Sequence, residues 1–297
     1  MQTQQQSRTT ELRCVVGDTS DNAVLAEKFF QAVRNNLPAG MTLEEAWSVY
    51  QHCMNTARSD QYSAAHNLVR LATLARTLDH LPAHVWAGAV PFTLSVAEVR
   101  IPLAEPSVID PFYLIHALRI MVEAEKLPPT APAAQLLVQM AEAHRMTLGS
   151  DHHHIDVEDD APVRVVTLLS SWKPYAADYE PTFRQLLAEM LDEAQFPFGA
   201  EKISPSESMT VIGVRFALIR LAVVTKTVQH QRLLTPEEQA ELVATLGKVL
   251  ARHASAKFVL AMAEETAWGR EARLRALVGD LTSATPSRGS ESGTTTL

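Results

Sequence analysis

The sequence predicts an all-α protein, an irregular multi-helix bundle of about nine to eleven helices with two helical halves as a candidate division. Three observations carry this. Only 11 glycines occur in 297 residues, about half the usual share, which argues against β-rich folds and against glycine-rich phosphate or dinucleotide turns. Hydrophobic residues make up 46% of the chain, ample for a core, and they recur at helical spacing. Capping residues and prolines punctuate those segments where helices should begin and end.

Taken in order, residues 1–20 read as a flexible N-terminal segment whose apolar island is Leu12 to Val16. Ala23 to Val33 carries Val24, Leu25, Phe29, Phe30 and Val33 on one face, and Leu37-Pro38-Ala39-Gly40 ends it. Thr42-Leu43-Glu44-Glu45 is a capping box opening a helix with Trp47, Val49, Tyr50, Cys53 and Met54. Gln61 to Leu78 continues the pattern. His84 to Arg100 mixes apolar residues around Pro91 and reads as a short helix with irregular flanks. Asp110-Pro111 is an N-cap followed by an N1 proline. That helix runs to about Glu125, and Pro128-Pro129-Thr130 separates it from a helix over Ala133 to Met146.

A polar break over residues 149–160 then separates an N-terminal half (21–148) from a C-terminal half (161–281). Helices are expected there over Val163 to Trp172, Pro181 to Phe196, Ser208 to His230, Pro236 to His253 and Ala256 to about Leu281. Residues 282–297 are low-complexity and read as a disordered tail.

Charge and cysteine content exclude several classes. Lys+Arg 26 against Asp+Glu 34 gives a net charge of −8, and no basic run suits nucleic acid. Val211 to Val224 is the strongest apolar run, but Arg215 and Arg220 interrupt it and it is too short for a bilayer, so no membrane partner is expected. Met1 to Ser7 lacks the basic and apolar parts of an export signal, which points to a cytoplasmic setting. Cys14 and Cys53 are the two cysteines, too few for a thiolate-only metal site.

Candidate chemistry is sparse. His152, His153 and His154 lie among five carboxylates in the break, yet consecutive residues cannot all face one ion, and a solvated loop is the preferred reading. No glutamate is followed by a histidine three residues on, as a di-metal bundle would need. Cys53 on an apolar helix face behaves as a small hydrophobe. Ser208 to His230 leaves almost no polar face and should be central. Its Arg215 and Arg220 either surface between neighbouring helices or contact an anion in a groove. Together with Tyr179 they are the candidate groove residues.

An ordered series in the C-terminal half carries a resemblance. A helix from Tyr179-Glu180 ends in Phe196-Pro197-Phe198, then comes Val214-Arg215-Phe216-Ala217-Leu218-Ile219-Arg220-Leu221, and Leu233-Leu234-Thr235-Pro236-Glu237-Glu238 leads to a helix closing at His253. This resembles the C-terminal region of the flagellin lysine-N-methylases, bacterial proteins that methylate surface lysines of flagellin. The resemblance implies a helical region that recognises flagellin and S-adenosylmethionine as the methyl donor. Members also carry an N-terminal cysteine cluster that looks like an iron–sulfur site, and two distant cysteines here cannot supply its ligands. The expectation is a relative or fragment of that family, inactive alone, with no catalytic residue assignable. The alternative is a non-enzymatic bacterial helical adaptor or scaffold binding another protein.

Far-ultraviolet circular dichroism should be dominated by helix. Purified chain should hold no iron or zinc stoichiometrically. One-to-one retention lost on replacing His152, His153 and His154 would instead assign a metal site to the loop.

Overall fold

The computed structural model describes residues 20–100, 109–149, 155–199 and 203–253. Among them are ten α-helices and one two-stranded ribbon. The N-terminal part contains α1 (Ser20–Val33), α2 (Leu43–Arg58), α3 (Ala64–Asp79), a 3₁₀ turn (Ala83–Val85), α4 (Trp86–Arg100), α5 (Ile109–Ala124) and α6 (Pro132–Ala143). Strands β1 (Met146–Leu148) and β2 (Ile155–Val157) follow, then α7 (Ala161–Trp172), α8 (Ala176–Glu193), α9 (Pro205–His230) and α10 (Pro236–His253). The all-α bundle expected from the sequence is the fold. The expected final helix, the C-terminal tail, the His152–His154 run and residues 1–19 lie outside the described residues.

Local chemistry sets the helix starts. Thr42 accepts the Glu45 N–H at 3.2 Å while the Glu45 carboxylate takes the Thr42 N–H at 2.8 Å, the reciprocal pair its sequence announces. Ser204-Pro205-Ser206-Glu207 does the same for α9, with the Ser204 N–H donating to Glu207 at 2.7 Å. That start, at Pro205, lies three residues before Ser208, where the sequence places the beginning of the helix. Ser63 caps α3 by accepting the His66 N–H, so the helix begins at Ala64 and not at Gln61.

Helix α9 organises the rest. It packs against α3, α5, α6, α7, α8 and α10, and from Ser208 to Val224 every residue but Arg215 is buried. It is long and apolar enough to cross a membrane by composition, but 94% of its most apolar stretch is buried inside the bundle. Its apolar surface therefore serves the core.

Helices on both sides of residues 149–160 share one hydrophobic core running from Ala26 to Leu250. The turn after α8 shows how they interlock. Gln195 takes φ 53, the Phe196–Pro197 peptide is cis, and the Phe198 ring lies 5.8 Å from Phe29 and 6.1 Å from Trp86. Asn36 donates to the Gly199 carbonyl at 2.8 Å beside it. Tyr50 of α2 donates to Asp192 of α8 at 2.5 Å, and Ser206 donates to Asp79 across the same divide.

Other sequence expectations change as well. The helix expected to reach Met146 ends at Ala143, because Arg145 adopts a left-handed φ of 55 and Met146–Leu148 pairs antiparallel with Ile155–Val157. The expected loop 149–160 thus contains a strand, which Glu158 extends by donating to the Arg145 carbonyl at 3.0 Å. Helix α8 begins at Ala176, not Pro181, and carries Pro181 within it. Proline costs least near a helix start, where the amide it removes belongs to the first turns. Helix α4 likewise runs through Pro91.

Phe216 is fully buried on α9 and meets Phe183 edge-on at 6.0 Å. Replacing Phe216 with Ala should cost about 3–5 kcal/mol, read as a lowered urea midpoint with an unchanged denaturant slope.

Candidate functional site

Among the described residues a cleft opens where α6 and α10 flank the C-terminal end of α9. It encloses about 230 Å³. Leu136 from α6, Leu234 from the α9–α10 loop and Leu242 from α10 supply its apolar floor, and Gln135, Gln139, Lys226, His230 and Glu241 its polar rims. At Pro132 and Thr245 it continues into a second hollow of about 190 Å³ reaching Leu127, Lys248 and Val249. The two form one trough along α10. From Leu234 to Val249 this is about fifteen residues, roughly 22 Å at the helical rise.

The loop that closes one end is tightly held. Gln231 turns the chain out of α9 with φ 54. Arg232 forks onto Glu238 with contacts of 2.8 and 2.6 Å, and Glu238 also accepts the Thr235 N–H at 2.8 Å. The Arg232 guanidinium first, and that amide second, hold the Glu238 carboxyl down to about 2. The Leu234 N–H donates to Tyr179 Oη at 2.7 Å, and the Leu234 carbonyl accepts from Gln239 at 2.9 Å. Leu234 thus has both backbone groups engaged from outside its own turn.

The sequence-derived groove candidates do not assemble into this cleft. Tyr179 is 1% exposed, stacks on Trp172 at 5.1 Å and shares a 2.8 Å hydrogen bond with Thr227 of α9. Its part is indirect, through the Leu234 amide. Arg220 is 2% exposed and sits over the Phe183 ring at 5.9 Å. Arg215 is half-buried, and its Nε has no hydrogen-bond partner among the described residues.

Two further features bear on chemistry. Cys53 is fully buried, and burial pushes its thiol well above the ordinary range, so it is not a ready nucleophile. Among the described residues no three His, Cys, Asp or Glu side chains come together to hold a metal. Another cleft, of about 310 Å³, opens beside the start of α3. There the Glu180 carboxylate already accepts the Ala64 N–H at 2.8 Å, so the helix end is satisfied from within the fold.

Sequence reasoning missed the cleft because each of its walls reads as an ordinary amphipathic helix. The signal lay in Thr235-Pro236-Glu237-Glu238, which fixes where α10 starts and hence which of its residues face α6.

No protein-family model matches the chain, and no curated protein or solved structure matches it. Replacing Tyr179 with Phe should destabilise the protein by about 1–3 kcal/mol, since the Leu234 amide and the Thr227 hydroxyl lose a buried partner. Exchange of the Leu234 amide should accelerate more than that of amides in α3, which hydrogen exchange resolved by residue would show.

Proposed function

We propose that the chain is a helical recognition domain whose α6–α10 trough takes an amphipathic helix of a protein partner, and that the partner is flagellin. The trough carries the reading. An apolar floor between polar rims, about as long as four helical turns, suits a helix laid lengthwise with its apolar face inward. The order Phe196-Pro197-Phe198, Val214 to Leu221 and Thr235 to His253 supports flagellin by its resemblance to the flagellin lysine-N-methylases.

On this reading the chain is a relative or fragment of such a methylase that recognises flagellin in a cytoplasmic setting. S-adenosylmethionine would then be the methyl donor of the complete activity. Methyl transfer to lysine needs a bound donor and a deprotonated amine held in line with it, and we assign no residue here to those roles. A non-enzymatic adaptor is the second reading. The buried, protonated Cys53 favours it over a thiol-dependent activity.

Binding is tested by calorimetry of flagellin into the purified chain. Thr245 lies where the two hollows meet, and Gln135 lines the opposite wall. Thr245→Arg and Gln135→Arg should each weaken binding at least about tenfold, or about 1.4 kcal/mol, while leaving the thermal midpoint nearly unchanged. Tight binding that ignores both substitutions would move the site elsewhere. Flagellin incubated with the chain alone and S-adenosylmethionine should keep its intact mass. Steps of one methylene per lysine would make the chain a complete methyltransferase.

A further inference from the structure

We propose that His144 is an acid-sensitive latch, which holds the β1–β2 ribbon against the end of α6 while its ring is neutral and releases the ribbon when the ring is protonated. His144 is the C-cap residue of α6 and is 3% exposed. Neither Nδ1 nor Nε2 has a hydrogen-bond partner among the described residues. Arg145 follows with its left-handed turn and leads straight into β1, so His144 is the residue at the joint between helix and ribbon.

The surroundings offer a proton no welcome. From α7, Arg164 donates its Nε–H to the Ala143 carbonyl at 3.0 Å, which fixes a guanidinium beside the ring. Arg164 is the charged group acting on it. Among the described residues no ionisable side chain of α5, α9 or α10 does so. Arg119 of α5 is committed elsewhere, to Glu123 at 2.7 Å and to the Gly149 carbonyl at 2.8 Å. On the ribbon side Arg145 lies between Glu158 and Asp160, at 3.8 and 3.7 Å, with all three side chains about half exposed. An imidazolium in place would therefore be buried without an acceptor among the described residues and next to a like charge.

Burial, with Arg164 adding to it, holds the ring down to about 4, whereas a released ring titrates near 6.5. The open form thus binds the proton more readily than the closed form. The ribbon is tight at neutral pH, opening grows as pH falls through about 6.5, and the effect levels off near 4. Between pH 7.5 and 5 the opening constant should rise about thirtyfold. The ribbon is the element that yields, because each strand has three residues with a single buried side chain, Met146 or Ile155. Helix α6 also forms a wall of the trough, so control of partner binding by this latch rests on the function proposed above. The latch itself does not.

The test is hydrogen exchange on the full chain without partner, from pH 7.5 to 5, corrected for intrinsic exchange rates. The Glu158 amide, bonded to the Arg145 carbonyl at 3.0 Å, reports the ribbon, and amides between Val214 and Val224 report the core. Ribbon opening should rise about thirtyfold with core amides nearly unchanged, and His144→Leu should abolish the dependence. Should that variant fail to fold, His144→Gln and a nuclear magnetic resonance titration of the wild-type ring decide. A ring still neutral at pH 5 in the closed form supports the latch. Ribbon exchange that ignores pH, an unchanged dependence in a folded variant, or a ring that titrates near 6.5 while the ribbon stays closed would overturn it.

Discussion

Helix α9 has no solvent face along most of its length, and that forces the architecture around it. A buried helix must meet apolar side chains in every direction, so the surrounding helices have to close a full ring. Helices α3, α5, α6, α7, α8 and α10 do so. Hydrophobic burial is non-directional, so the aromatic contacts add the specificity. Trp172, Tyr179, Phe183 and Phe216 form one linked set, and Phe29, Phe30, Trp47, Tyr50 and Phe198 another. The second set draws its members from both sides of residues 149–160, which ties Phe198 to α1 and α2.

The same constraint explains how the trough forms. Helix α10 is the partner of α9 that arrives last in the chain, and its start is fixed by Thr235, Glu238 and Arg232 through hydrogen bonds made within the loop. With its start pinned and Leu234 held by Tyr179, α10 contacts α9, α5 and α6 without filling the space between itself and α6. An apolar floor flanked by glutamines and charged side chains remains. Its accessibility follows from packing geometry.

Much of this was legible in the residues, for definable reasons. Caps are local chemistry, so Thr42-Glu45 and Thr235-Glu238 announced their helices, and an unbroken apolar run announced the central position of α9. What stayed hidden was set at a distance. Met146 reads as the end of the helix begun at Ala133, and only pairing with Ile155 to Val157 makes Met146 to Leu148 a strand. Pro181 reads as a helix start, yet packing extends α8 five residues before it. Tyr179 stood among the groove candidates with Arg215 and Arg220, at the start of the series that carries the family resemblance. Its partners proved to be Thr227 and the Leu234 amide, 48 and 55 positions away in the chain. The trough was the least legible feature, since it belongs to the relation between α6 and α10 and to neither alone.

The pairing of α3 with α9 has a consequence for biosynthesis. Helix α3, with Leu68, Leu71, Leu74 and Leu78 almost wholly buried, packs on the early helices α2 and α4, and also on a helix that begins at Pro205 and ends at His230. At ordinary translation speeds of about 5–20 residues per second, that leaves the part of α3 that α9 covers waiting on the order of ten seconds on the ribosome. Apolar surface left open for that long is prone to aggregation on the nascent chain. The same pairing makes α9 the segment whose emergence converts a collection of adhesive helices into a closed protein.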